Sequence, residues 1–259
     1  MATSSHGHGH NPALLHHFDT PGQQKEAATL GMWAFLVTEI MLFGGIFLAY
    51  MVYRWAYPAI WAAAAPHLNT PLATVNTVVL LVSSLTVALA VHAAEVGNKR
   101  QLVTLLLVTI LLGATFLGIK FTEYGEKFAH CAGYVNPLAW LTGGERLAEA
   151  ECLVPGANFL FPMETAAVGS GAAPAAEAVA TSRPGMKTPH QLFFFLYFCA
   201  TGLHAIHMIV GITVMSVIAW MASRNKFSPA YFTPVEIGGL YWHLIDIIWV
   251  FLFPLFYLV

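Results

Sequence analysis

Five long apolar runs dominate this chain and leave it few ways to fold. The first, LGMWAFLVTEIMLFGGIFLAYMVY from Leu30 to Tyr53, contains one charged residue, Glu39. Four more cover 72–94, 102–124, 191–219 and 237–258. Crossing a hydrocarbon core of about 30 Å takes roughly 20 helical residues, so each run is long enough. Composition agrees: 58% of the 259 residues are hydrophobic and 9% charged, with a mean hydropathy of +0.67. A soluble domain is about a quarter charged. A membrane barrel would instead alternate over segments of about ten residues. The expected fold class is all-α, a polytopic membrane helical bundle with five transmembrane helices.

The runs divide the chain into a polar tail and lead-in over 1–29 and a single membrane domain over 30–259. The tail holds His6, His8, His10, His16 and His17. Such tracts can bind metal or buffer protons, and a solvated tail with incidental histidines is the simpler reading. Orientation follows from Lys and Arg in short loops. With the N-terminus inside, Lys25, Lys99, Arg100, Arg224 and Lys226 are internal, while the short outer loop 54–71 carries only Arg54. The long loop 125–190 then lies outside, as does the C-terminus. The first apolar run is too long for a signal-peptide core. Loop residues Cys131 and Cys152 form a candidate disulfide in an oxidising compartment. Neither belongs to a C-x-x-C-H sequence, so a loop-attached c-type haem is excluded. Cys199, inside the fourth run, reads as a small buried hydrophobe.

Several polar residues sit at membrane depth, where an acidic side chain costs roughly 2.5–3.5 kcal/mol near a helix centre. Glu39 lies about 14 Å from its inner end at 1.5 Å per residue, and Asp246 about the same. His207 and His204 come out at roughly 18 and 22 Å on that rise. Glu39, His204, His207 and Asp246 are therefore candidates to meet in one layer. Desolvation there favours a neutral Glu39 that donates a hydrogen bond to a neighbouring helix. His204 and His207, His243 and Asp246, and His92 and Glu95 are each three apart and share a helix face. Lys120 and Glu123 have the same spacing and read as a local ion pair at the outer interface. A di-iron bundle wants four carboxylates with Glu-x-x-His on two helices, which the chain lacks. A bis-histidine haem between His204 or His207 and His243 stays open on residue types. Interhelical hydrogen bonding and a proton or solute path are the other readings.

In order, the chain reads LGMWAFLVTEIMLFGGIFLAY at 30–50, NTVVLLVSSLTVALA at 76–90, LGATFLGIKFTEY at 112–124, FFFLYFCATGLHAIHMIVGIT at 193–213 and EIGGLYWHLIDIIWVFLFPLFYLV at 236–259. These five blocks resemble subunit III of cytochrome c oxidase, in its five-helix bacterial form. Glu39 matches that family's intramembrane glutamate. His204 and His207 match its T-G-L/F-H-x-x-H, and Tyr241, Trp242, His243, Asp246 and Trp249 its Y-W-H-x-x-D-x-x-W. Glu123 matches the E-Y at a helix end, and Glu236 the glutamate before the last helix. The long loop 125–190 and the histidine-rich tail depart from the pattern.

The resemblance implies a V-shaped arrangement with a lipid cleft, in a bacterial inner membrane with the N-terminus cytoplasmic and the C-terminus periplasmic. It implies a subunit with no haem or copper of its own and no catalytic or metal-binding residue, beside partner subunits that carry both groups. The implied partners are oxidase subunit I in direct contact, subunit II in the same complex, and phospholipid. Loop 125–190 is a candidate contact for a periplasmic cytochrome c or another respiratory complex. The implied reaction of the complex is oxidation of cytochrome c, reduction of oxygen to water and proton translocation. His92, Glu95, Glu236 and the tail are candidate proton-collecting groups on the inner surface. The alternatives are subunit III of a quinol oxidase or nitric oxide reductase, a haem-binding membrane anchor, and a proton-coupled transporter. The last would want inverted repeats or broken helices.

Overall fold

A computed structural model describes residues 18, 20–58, 61, 68–129, 189–229 and 231–258. Most of the histidine-rich tail and of loop 125–190, with Cys131 and Cys152, lies outside the described residues. The described chain forms five helices: α1 (Pro21–Ala56), α2 (Thr70–Val96), α3 (Lys99–Ala129), α4 (Pro189–Ser223) and α5 (Thr233–Tyr257). All five are long and apolar enough to cross a membrane. Among the described residues there is no strand, only an isolated bridge between Ser228 and Tyr231.

The first three helices outrun their apolar windows at the N-terminal end, where polar capping side chains set the first turn. Thr20 accepts from the Gln23 amide at 3.2 Å, and Pro21 enters the first turn, where its missing N–H costs nothing. The segment expected as a short lead-in, 25–29, is thus already helical. Asn69 and Asn98 accept from the amides of Leu72 and Gln101 at 3.2 and 3.3 Å. Between α2 and α3, Gly97 closes the turn at φ +80°, and a Cβ there would lie 2.9 Å from Pro229. Glycine is needed on both counts.

The helix α5 is central, packed on α2, α4 and α1, while α3 joins α2 to α4. Over their most apolar 18 residues, 56% of α5 is buried and only 17% of α1. Two tryptophans explain how α5 takes the middle. Trp242, with no exposed surface, fits a notch made by absent side chains: Cβ atoms on Gly113 and Gly211 would lie 2.7 and 3.2 Å from its ring. Its indole nitrogen donates to Ser83 of α2 at 3.0 Å. Two turns on, Trp249 donates to Thr77 at 3.0 Å and packs edge-on against Phe116. One residue therefore touches several helices at each level, which fixes register where lipid supplies no hydrophobic drive.

Candidate functional site

Glu39 of α1 meets His207 of α4, with Oε2 and Nε2 at 2.8 Å. The other ring nitrogen, Nδ1, lies 2.8 Å from the Leu203 carbonyl. A carbonyl only accepts, so Nδ1 carries a hydrogen. One more proton must then occupy the Nε2···Oε2 contact, because two bare acceptors would repel at that distance. The pair is either imidazole with carboxylic acid or imidazolium with carboxylate, and it is neutral overall in both forms. That neutrality removes most of the cost of a lone charge at this depth. Phe43 covers the ring edge-on, and the Tyr241 hydroxyl donates to the His207 carbonyl at 3.2 Å.

Glu39 meets neither His204 nor Asp246. At 100° per residue, positions three apart differ by about 60° around the axis, so His204 and His207 straddle a ridge of α4. His204 turns the other way, between Phe116 of α3 and Trp249 of α5, with ring centroids at 5.6 and 5.2 Å. It is 1% exposed, and neither ring nitrogen has a hydrogen-bond partner among the described residues. Asp246 is 3% exposed, and both carboxyl oxygens likewise lack a partner. Ser84 lies within reach of it as a hydroxyl donor, and the same hydroxyl contacts Nδ1 of His243 at 2.7 Å. The three histidines thus meet three different neighbours. Among the described residues, no three of His, Cys, Asp and Glu come together as a metal group.

The largest departure from expectation lies toward the C-terminal end of α3. Lys120 and Glu123 do form an ion pair at 2.7 Å, but they are 4% and 2% exposed, inside the bundle rather than at its interface. The cause is two tyrosines that reach the pair from α4 and α5. Lys120 Nζ donates to Tyr257 at 2.7 Å and Tyr197 at 3.3 Å. Both hydroxyls reach Glu123 Oε1, at 2.7 and 2.9 Å. The ammonium also lies 4.9 Å from the Trp249 ring centroid and 5.2 Å from that of Tyr257, a desolvated cation–π arrangement. The sequence held a signal for this: Tyr197 and Tyr257 stand in apolar runs at the depth of Lys120.

At the opposite end of the bundle the groups are more open. Glu236 pairs with Lys25 of α1 at 2.9 Å, a partner the sequence did not suggest. His92 and Glu95 sit 3.8 Å apart, with side chains 71% and 65% exposed. Between α1, α4 and α5 runs a cavity of about 880 Å³. Met32, Phe35, Val214 and Tyr241 line its walls, and Lys25 and Lys226 stand among its polar residues. From Lys25 to Phe35 it follows α1 for about 15 Å, roughly one leaflet of hydrocarbon.

With this geometry in place, comparison with known proteins is informative. The family described as "Cytochrome c oxidase subunit III" matches residues 16–136 and 187–259. The chain is 27% identical over 233 residues to cytochrome c oxidase subunit 3 of Corynebacterium diphtheriae, covering 89% of this chain and 87% of that one. It is 26% identical over 251 residues to quinol oxidase subunit 3 of Bacillus subtilis, covering 97% and 95%. The cytochrome c oxidase subunit 3 of Papio hamadryas is 26% identical over 250 residues, with 92% and 70% covered.

Proposed function

Since the chain belongs to the cytochrome c oxidase subunit III family, and is thus an integral membrane subunit of an oxidase complex, we propose that it is the accessory, non-redox member of that complex. In this reading it packs against subunit I, shares the complex with subunit II, and leaves haem and copper to those partners. The carrying observation is that the three intramembrane histidines face three different neighbours. His207 is held by Glu39, His243 contacts Ser84, and His204 is enclosed by aromatic rings.

The inner cavity supports a second part of the proposal, that the chain binds phospholipid from the inner leaflet. Basic pockets between transmembrane helices on that side attract anionic headgroups. In the third part, His92, Glu95 and Glu236 help supply protons to the uptake entrance of subunit I. The orientation is N-terminus inside and C-terminus outside, in a bacterial plasma membrane. Electron donors of two kinds fit equally, because the relatives named for cytochrome c and for quinol are 27% and 26% identical.

Co-purification tests the assignment: the partners recovered with this chain should include a haem-bearing subunit I, while the isolated chain should show no Soret band. A Soret band intrinsic to the chain overturns the accessory reading. For the proton role, replacing His92, Glu95 and Glu236 with Gln should slow turnover at high pH, and an unchanged pH profile removes it.

A further inference from the structure

Six buried side-chain polar atoms lack a hydrogen-bond partner among the described residues, and five of them belong to Asn76, His204 and Asp246. Asn76 and His204 share one region of the interior around Phe116, and Asp246 stands apart from it beside Ser84. Asn76 of α2 gives its amide nitrogen to the Phe116 carbonyl at 3.4 Å, which leaves its oxygen unpartnered. Phe116 is also the residue against which the His204 ring packs. Trp249 closes the same space from α5, touching both Phe116 and His204. Asp246 stands one turn inward from Trp249. All three polar side chains are at least nine-tenths buried, at 0%, 1% and 3% exposure.

Buried polar groups are nearly always satisfied, and those without a protein partner bond ordered water. The chemistry here fits water better than other small ligands. An imidazole offers one donor and one acceptor, an amide oxygen accepts, and a carboxyl accepts or donates with its proton. Water, with two donors and two acceptors, can bridge every such combination. A divalent cation would want several oxygen or nitrogen ligands together, and the described residues gather no such set. We infer that the interior of α2–α5 is a water-binding site, with ordered water held by Asn76 and His204 on one side of Trp249 and by Asp246 on the other.

The site has a consequence for the proposed membrane role but does not depend on it. Bound water gives His204 and Asp246 hydrogen-bond partners beyond the hydroxyls of the α2–α5 seam. Thr77 accepts from Trp249, Ser83 from Trp242, and Ser84 contacts His243. The polar seam between α2 and α5 is thereby wetted at the positions where direct protein bonds stop.

The deciding experiment is a density map of the intact oxidase complex at a resolution that shows ordered water. Peaks within hydrogen-bond distance of a His204 ring nitrogen and of an Asp246 oxygen are expected. An interior without such peaks overturns the inference, as does a peak that metal analysis of the purified complex assigns to a stoichiometric cation. A second measurement reads the sign of a substitution. His204→Phe in the intact complex should lower the temperature at which this chain dissociates, because the waters lose their anchor. A dry interior predicts the opposite sign, since an apolar ring would replace an unsatisfied one. If the variant fails to assemble, the map of the unaltered complex still decides.

Discussion

Replacing Lys120 with Met, Glu123 with Gln, and then both together tests whether the Lys120–Glu123 cluster is a buried ionic core. The single change Lys120→Met removes the cation from a carboxylate that is 2% exposed and leaves it with two tyrosine hydroxyls. Breaking a buried pair from one side costs about 3–5 kcal/mol. At 1.4 kcal/mol per decade, the folded bundle should lose a factor of roughly 10² to 10³·⁵ in equilibrium stability. Glu123→Gln should cost a similar amount by stranding the ammonium. The double variant keeps the volume and removes both charges, and such replacements are often neutral or stabilising. Tyr197 and Tyr257, already 2.9 Å apart, can then bond to each other and to the new amide. An ordinary hydrogen-bonded cluster behaves differently. Interhelical bonds in membranes average about 0.6 kcal/mol, so their losses would accumulate and the double variant would be at least as unstable as either single one. A reversible unfolding assay in bicelles, run as a double-mutant cycle, separates the cases by sign. If the double variant is the least stable of the three, the ionic-core reasoning fails.

Two further outcomes follow from local geometry. Gly113→Ala should destabilise by about 1–3 kcal/mol in the same assay, because its Cβ would sit 2.7 Å from a Trp242 ring tethered to Ser83. Gly118→Ala, with nothing within 4 Å, is the control and should be neutral or slightly stabilising. At α1, Glu39→Gln should leave stability and assembly nearly intact, since an amide can donate to His207 Nε2. Glu39→Leu should cost about 1–3 kcal/mol by stranding that nitrogen. Equal losses in the two variants would mean that the pair is ionised.

How much of this was legible depended on whether a feature is set by period or by partner. The five spans were readable because lipid imposes a length and a polarity that the runs either meet or fail. Helix ends were less so, because Thr20, Asn69 and Asn98 extend helices beyond their apolar windows. Depth along a helix was readable from rise, which is why Glu39 and His207 came out near one another. Azimuth was not: a spacing of three allows His204 and His207 to face different helices, and only packing decides. Lys120 and Glu123 show the same limit. Their pairing was visible in the spacing, but their burial comes from Tyr197 and Tyr257, 77 and 137 residues away from Lys120.

The placement of Glu39 makes most sense beside two further polar contacts that α1 makes with α5. Lys25 pairs with Glu236, Glu39 with His207, and the Tyr50 hydroxyl donates to the Leu255 carbonyl. At 1.5 Å per residue these contacts stand about 21 and 17 Å apart along the helix. One lies near the N-terminal end of α1, one near its middle and one near its C-terminal end. A helix as little buried as α1 gains no hydrophobic free energy from leaving lipid for protein, so directional contacts must set its rotation and height. Three fixed points determine both. A glutamate in the first apolar run is therefore tolerable because the pair it forms with His207 is neutral overall, and useful because few other groups could hold α1 at that level.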